Sequence, residues 1–371
     1  MAMGQGEISG GGQRVGWVDI AKGICIVFVV MLHSVLGVEI AMGEEGWMHQ
    51  VVSFARPFRM PDFFLISGLF LGLVIDRPWL RYVDRKVVHF AYFYVLWLTI
   101  QFAFKAPGMA LEQGWTHALD TYLSAFVQPF GTLWFIYLLP LFFVLTRLVK
   151  TLPVWAVFAA AALFEVLPVH TGSIIIDEFC GRYVYFFAGY AFAPRIFAVA
   201  SWAAAKPATT FALLGLWAVA NAMLVFTPAP ETLVEYLQAD LGFTGATHGY
   251  SELPFISLVL GFTGAFAVVA VAALMSRLPY IDGIRWLGAH SIVVYLAFFL
   301  PMAATRAVLV KSGIITDPGT AGALVTAAAV IGPVALYGVT NWCGYGRFLF
   351  ERPTWAGIDT RIVSARSVPA G

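Results

Sequence analysis

Polar positions in this chain do not alternate with apolar ones at a helix or strand period. They collect at the ends of long apolar runs, and a membrane-spanning helix needs about 20 mostly apolar residues. Runs of that kind, bounded by charges, prolines or polar clusters, number ten. They lie at about 17–38, 60–75, 87–104, 130–149, 153–169, 180–198, 208–226, 254–276, 286–304 and 320–341. In lipid a backbone must satisfy its own hydrogen bonds, so such runs are helices. The pattern predicts an all-α polytopic membrane helix bundle of about ten transmembrane helices. No segment repeats another, and matching glycine-broken halves of the kind that mark inverted-repeat transporters are absent from the pattern.

Composition agrees: 60% of the 371 residues are apolar, 16% aromatic and 12% charged, with a mean hydropathy of +0.82. A net charge of +1 gives no bulk attraction for nucleic acid. The positions of the cations matter more than their sum. With the N-terminus cytoplasmic, sixteen of the lysines and arginines fall on inner segments and six (Arg56, Arg59, Lys105, Arg182, Arg306 and Lys311) on outer ones. That bias predicts both termini in the cytoplasm and a multi-pass protein of the inner or plasma membrane. Residues 1–16, glycine-rich and polar, read as a disordered cytoplasmic tail. Residues 17–345 read as the membrane domain and 346–371 as a cytoplasmic tail, polar with prolines. The first apolar run is too long for a signal-peptide core and is expected to be retained. Cys25, Cys180 and Cys343 stand in separate apolar segments without metal-ligand spacing, so neither a metal nor a disulfide framework is expected.

Two residues interrupt the first span, "WVDIAKGICIVFVVMLHSVLG". Lys22 and His33, eleven positions apart, return to within about 20° of one helix face while standing about 16 Å apart along the axis. An ionisable residue at membrane depth is a functional candidate by default. Asp19 can pair with Lys22 but is too far from His33 to orient it, so His33 needs a partner from another helix. The second span opens "FARPFRMPDFFLISGLFLG". Here Arg59 and Asp62, three apart, are spaced for an intrahelical ion pair, and Ser67 and Gly68 permit close helix approach. Arg77, Arg81, Arg85 and Lys86 form an inner cationic stripe suited to phosphates or to anionic lipid. His89 and His290 read as interfacial. The outer segments 105–129 and 227–253, with Trp115, His117, Tyr122, Tyr236, His248 and Tyr250, are expected to floor an outward cleft or form interfacial belts.

The first-span lysine and histidine followed by "FRMPDFFLISG" resemble the acyltransferase-3 family of membrane O-acyltransferases. So do "GTLWFIYLLPLFF" (Gly131 to Phe143), "GRYVYFFAGY" (Gly181 to Tyr190) and "LGAHSIVVYLAFF" (Leu287 to Phe299). Departures are Lys22, where arginine is commoner, and Asp62, where leucine is more usual. Lysine keeps the charge and loses the planar fork.

The resemblance implies transfer of an acyl group, acetyl or succinyl, from cytoplasmic acyl-CoA to a hydroxyl of a cell-envelope carbohydrate or glycolipid. Such a reaction needs a base working near neutrality, donors for the oxyanion and exclusion of water. His33 is then the catalytic base or a transient acyl carrier. Arg56, Arg59 and Arg182 stabilise negative charge or bind the acceptor, and Trp134 and Tyr137 line the passage. Lys22, Arg85 and Lys86 serve the donor. Glu252, ahead of Asp62, Asp177 and Glu178, is the carboxylate expected to orient His33. The alternative from another class is a transporter or flippase that moves an acylated molecule without making a bond.

Overall fold

The computed structural model describes residues 15–129, 131–167, 169–231 and 249–359. The expected N-terminal tail through Arg14, the loop residues Tyr236 and His248, and Arg361 and Arg366 lie outside them. Among the described residues all regular structure is helical.

The first span forms α1 (Gly16–Met42), ended by Gly43 in the left-handed conformation, its N–H donating to the Glu39 carbonyl. α2 (Met48–Ala55) and α3 (Arg59–Gly68) follow, broken apart at Pro57. Pro61 sits in the first turn of α3, where its missing N–H leaves no helical bond unmade. α4 (Trp79–Val83) runs through a π-helical turn, Asp84–Val88, into α5 (His89–Ser124). Then come α6 (Trp134–Val149), α7 (Val154–Val166), α8 (Ile174–Ala191), α9 (Ala193–Ala205) and α10 (Pro207–Phe226). After the undescribed stretch stand α11 (Ile256–Met275), α12 (Asp282–Ala289), α13 (Ser291–Ala297), α14 (Phe299–Ser312) and α15 (Pro318–Cys343).

Among the described residues, six helical stretches are long and apolar enough to cross a bilayer, or up to eight if α8 with α9, bent by 78°, and α13 with α14, bent by 52°, each count as one span. The ten expected runs therefore exceed the full-length crossings. The run at 60–75 holds α3, ten residues long and so only about 15 Å. That at 153–169 holds the thirteen-residue α7. Hydrophobicity reports an apolar surrounding without saying whether lipid or protein supplies it, so short buried helices look like spans. Segment 105–129, expected as a loop, continues α5 to Ser124, with Gly114 at φ 87° breaking the helical backbone.

α1 is the hub, packing on α3, α11, α12 and α15. Two of the tightest crossings are made by glycine on both sides, the small-residue packing that lets helices approach without a hydrophobic drive in lipid. A Cβ at Gly288 would lie 1.6 Å from the Asp19 carbonyl oxygen, and one at Gly23 2.4 Å from that of Ile284. Likewise, a Cβ on Gly189 would stand 2.0 Å from the Leu65 oxygen, and one on Gly68 2.2 Å from that of Phe186. Above the α3/α8 crossing, Phe64, Phe142 and Phe186 form an aromatic core with centroids 5.1 and 5.3 Å apart.

As far as Asp359, the C-terminal segment is bound back to the helices. Arg352 donates to the Asp84 carboxylate at 2.6 Å and to its carbonyl at 3.0 Å, and the Ile358 N–H reaches the same carboxylate at 2.8 Å. Trp97 Nε1–H donates to the Leu349 carbonyl at 2.9 Å. The physical reason is Asp84, a buried acid in the π-turn that needs a cation and finds it on this segment.

Candidate active site

α1 is unbroken from Gly16 to Met42, so Lys22 and His33 keep the shared face and the separation of about 16 Å that the helix period dictates. His33, half-buried, stacks its ring on Phe298 with centroids 5.7 Å apart and faces a cavity of about 950 Å³. Gly37, Phe104, Lys105, Thr132, Phe299 and Arg306 share its walls. Thr132 Oγ1 is buried with no hydrogen-bond partner among the described residues. Lys105 Nζ lies over the Phe299 ring at 4.6 Å. Arg306 occupies the space left by the missing side chain of Gly37, where a Cβ would stand 2.2 Å from Nη1.

On the other side of α1 a second cavity, of about 660 Å³, holds Arg56, Arg59, His49, Ser53, Ser251 and Glu252, and Leu36 lines both. Arg59 is brought within electrostatic reach of His33, as well as of Arg56, Arg182 and Glu178. Its Nε and Nη1 are buried without a hydrogen-bond partner among the described residues. Unsatisfied buried donors are costly, which marks this guanidinium as prepared for a polar or anionic guest. Arg182 is held by Glu178 one turn away in α8, at 3.0 Å.

Three expectations are corrected by geometry. Glu252, expected to orient His33, forms an ion pair with Arg56 across the rim of the second cavity. No described hydrogen bond or ion pair joins a carboxylate to His33. Asp62, expected beside Arg59 at the outer boundary, is fully buried and accepts from the Cys25 thiol at 2.5 Å. Three residues along α3 turn the carboxylate inward to α1 while Arg59 lines the second cavity. Cys25 therefore has a partner that its spacing did not reveal. Trp134 and Tyr137 lie outside both cavity linings: Trp134 packs on Phe64, and Tyr137 donates to the Phe126 carbonyl at 3.0 Å.

At the opposite end of the bundle Lys22 and Arg77 both act electrostatically on Lys86, whose Nζ lies 4.2 Å from the Phe143 ring centroid. Arg85 diverges from them, lining a cavity of about 450 Å³ with His89, Glu351, Arg352 and Asp359. The expected cationic stripe is thus split between two surroundings. His290 stacks on Trp286 at 4.2 Å and bonds its carbonyl at 2.9 Å, in keeping with a packing role.

Sequence reasoning did not single out Glu165, which accepts from Tyr185 at 3.1 Å and Ser257 at 3.0 Å. Nor did it join Lys105 and Arg306 to His33. The one signal was Gly37, a turn beyond the histidine, and it becomes meaningful only once another helix fills its gap. Among the described residues no group of three or more His, Cys, Asp or Glu is placed to hold a metal.

A family profile described as an acyltransferase domain matches residues 15–338. Among curated proteins, a nodulation protein NolL of Sinorhizobium fredii is 25% identical over 266 residues, 69% of this chain and 66% of that protein. NolL of Mesorhizobium japonicum is 26% identical over 183 residues, 48% of each chain. The inner membrane protein YcfT of Escherichia coli is 27% identical over 171 residues, 39% of this chain and 47% of that one. The chain thus spans about half the length of the latter two relatives. No solved structure matches.

Proposed function

The chain belongs to the acyltransferase-3 family, a multi-pass membrane protein, and on that premise we propose that it transfers an acyl group, acetyl or succinyl, from cytoplasmic acyl-CoA to a hydroxyl on the outer side. The acceptor is a cell-envelope carbohydrate or glycolipid, and the membrane is the inner or plasma membrane, in line with the name of the YcfT relative. The observation that carries this reading is His33, in the outer half of α1, facing a cavity of about 950 Å³ with the Arg59 charge within reach.

In this mechanism an imidazole nitrogen of His33 takes the proton of the acceptor hydroxyl as its oxygen attacks the thioester carbonyl. Arg59, in the adjoining cavity and within electrostatic reach of His33, favours the oxyanion through its charge. Collapse breaks the carbon–sulfur bond, and the proton passes from His33 to the coenzyme A thiolate. If the acyl group instead rests on the imidazole, the same atoms balance in two steps. Lys22, Arg77 and Lys86 bind the anionic donor at the inner end. His33 is asked for roughly 10²–10⁴-fold of rate as a general base.

The test uses full-length protein in lipid nanodiscs with labelled acyl-CoA and an extract of envelope glycans. Wild type consumes acyl-CoA and leaves an acyl mass on a glycan, while His33→Ala, of unchanged elution and thermal unfolding, loses at least 100-fold. Full transfer by His33→Ala sinks the mechanism. Labelled glycan crossing a vesicle membrane with no acyl-CoA consumed indicates a transporter.

A further inference from the structure

The link between α4 and α5 is a π-turn, in which the His89 N–H donates to the Asp84 carbonyl, five residues back rather than four. The extra residue rotates everything before it by about 100° relative to α5, compared with an unbroken α-helix. That rotation decides where the cations of the turn stand. Lys86 is carried to the Phe143 ring and into reach of Lys22 and Arg77, while Arg85 lines a separate cavity with His89. A π-turn is a rare conformation that needs support, and here the support comes from 268 residues further along the chain. Arg352 Nη1 donates at 3.0 Å to the same Asp84 carbonyl that closes the π-turn, and Nη2 donates to the Asp84 carboxylate at 2.6 Å. The Ile358 N–H takes the other carboxylate oxygen at 2.8 Å. With side chains 2% and 12% exposed, Asp84 and Arg352 meet out of reach of most solvent screening. On its other flank the segment is held by α5, where Tyr92 and Trp97 donate to the carbonyls of Phe348 and Leu349 at 3.0 and 2.9 Å. It is a strap, fixed to α5 at one end and to the first residue of the π-turn at the other.

We propose that Arg352 is a positioning residue for the acyl donor: by holding the π-turn it sets Lys86 beside Lys22 and Arg77, where these cations meet the phosphates of coenzyme A. The inference rests on the reading of this end of the bundle as the donor side of the enzyme. Arg352 touches no substrate on this account. Its fork is engaged by Asp84, and it acts through Lys86.

The experiment titrates radiolabelled coenzyme A onto full-length protein in phosphatidylcholine nanodiscs and follows acyl transfer separately at saturating acyl-CoA. Arg352→Gln and Lys86→Gln are each expected to weaken coenzyme A binding about tenfold, the loss of one charge-assisted contact, with kcat within about twofold of wild type. The variant carrying both separates positioning from general support of the fold. Because Arg352 acts through Lys86, the pair loses about tenfold in all, whereas independent effects multiply to about 100-fold. Arg352→Lys keeps the charge and loses the fork, so its affinity falls between wild type and Arg352→Gln, and it takes the place of the glutamine variant in the cycle if that variant does not fold. Unchanged coenzyme A affinity in a folded Arg352→Gln overturns the proposal. So does a multiplied loss in the double variant, and so does a fall in kcat with affinity kept. Wild type that binds no coenzyme A overturns the acyl-transfer reading, and the donor site with it. Binding that depends on Arg352 and Lys86 as described, in a protein that acylates nothing, leaves the positioning role standing and removes the transfer alone.

Discussion

His33 and Lys22 were legible because one helix period fixes their common face. Asp62 was not, since its partner lies on another helix and the pairing of acid with thiol has no sequence signature. The Cys25 thiol is the described hydrogen-bond donor to that buried carboxylate, whose second oxygen has none. Removing one member of a buried pair costs the desolvation of what remains, about 1–3 kcal/mol, whereas replacing both with apolar groups is close to neutral. Cys25→Ala should therefore lower the unfolding temperature more than Cys25→Ala/Asp62→Leu does, read by thermal unfolding in nanodiscs. If the double variant is the less stable, Asp62 has a role beyond this contact.

At the scale of elements, hydropathy located the long apolar helices and passed over short ones such as α2 and α4, and it set ten crossings where six to eight among the described residues are long and apolar enough. α3, ten residues long, was taken for a span because its residues are buried among α8, α11 and α1 as fully as lipid would bury them. The bend of 78° between α8 and α9 likewise leaves no mark in an apolar average. What seats α3 is the glycine contact with α8. A methyl on Gly189 meets the Leu65 backbone oxygen at 2.0 Å, and a carbonyl cannot rotate aside as a side chain does. Overpacking of this kind costs about 1–3 kcal/mol. Because α3 carries Arg59, Gly189→Ala should lower acyl transfer together with unfolding temperature, although it lies away from both cavities. Full activity at reduced stability would separate the crossing from the placement of Arg59.

For the whole molecule, charge counting gave two ends, and the structure sorts the candidates accordingly: His33, Arg59, Lys105 and Arg306 at one, Lys22, Arg77 and Lys86 at the other. The cation bias predicts which end faces the cytoplasm, and labelling can read it directly. Cys343 is exposed at the end of α15, whereas Cys25 is buried. In a Cys180→Ala background, a membrane-impermeant maleimide should label Cys343 in inside-out vesicles and leave it unlabelled in right-side-out ones. The opposite pattern inverts the topology and with it the donor and acceptor sides.

The side chain of Leu36, between the histidine cavity and the arginine cavity, is a wall of both. It borders both cavities where they approach each other around α1, so its size bears on how widely they communicate. Leu36→Gly should widen the space between the cavities and shift turnover toward bulkier acceptors relative to wild type, and Leu36→Trp should shift it toward slimmer ones, read by comparing product masses from one glycan extract. The breadth of acceptors would then be tuned by a residue that bears no charge and takes no part in proton transfer.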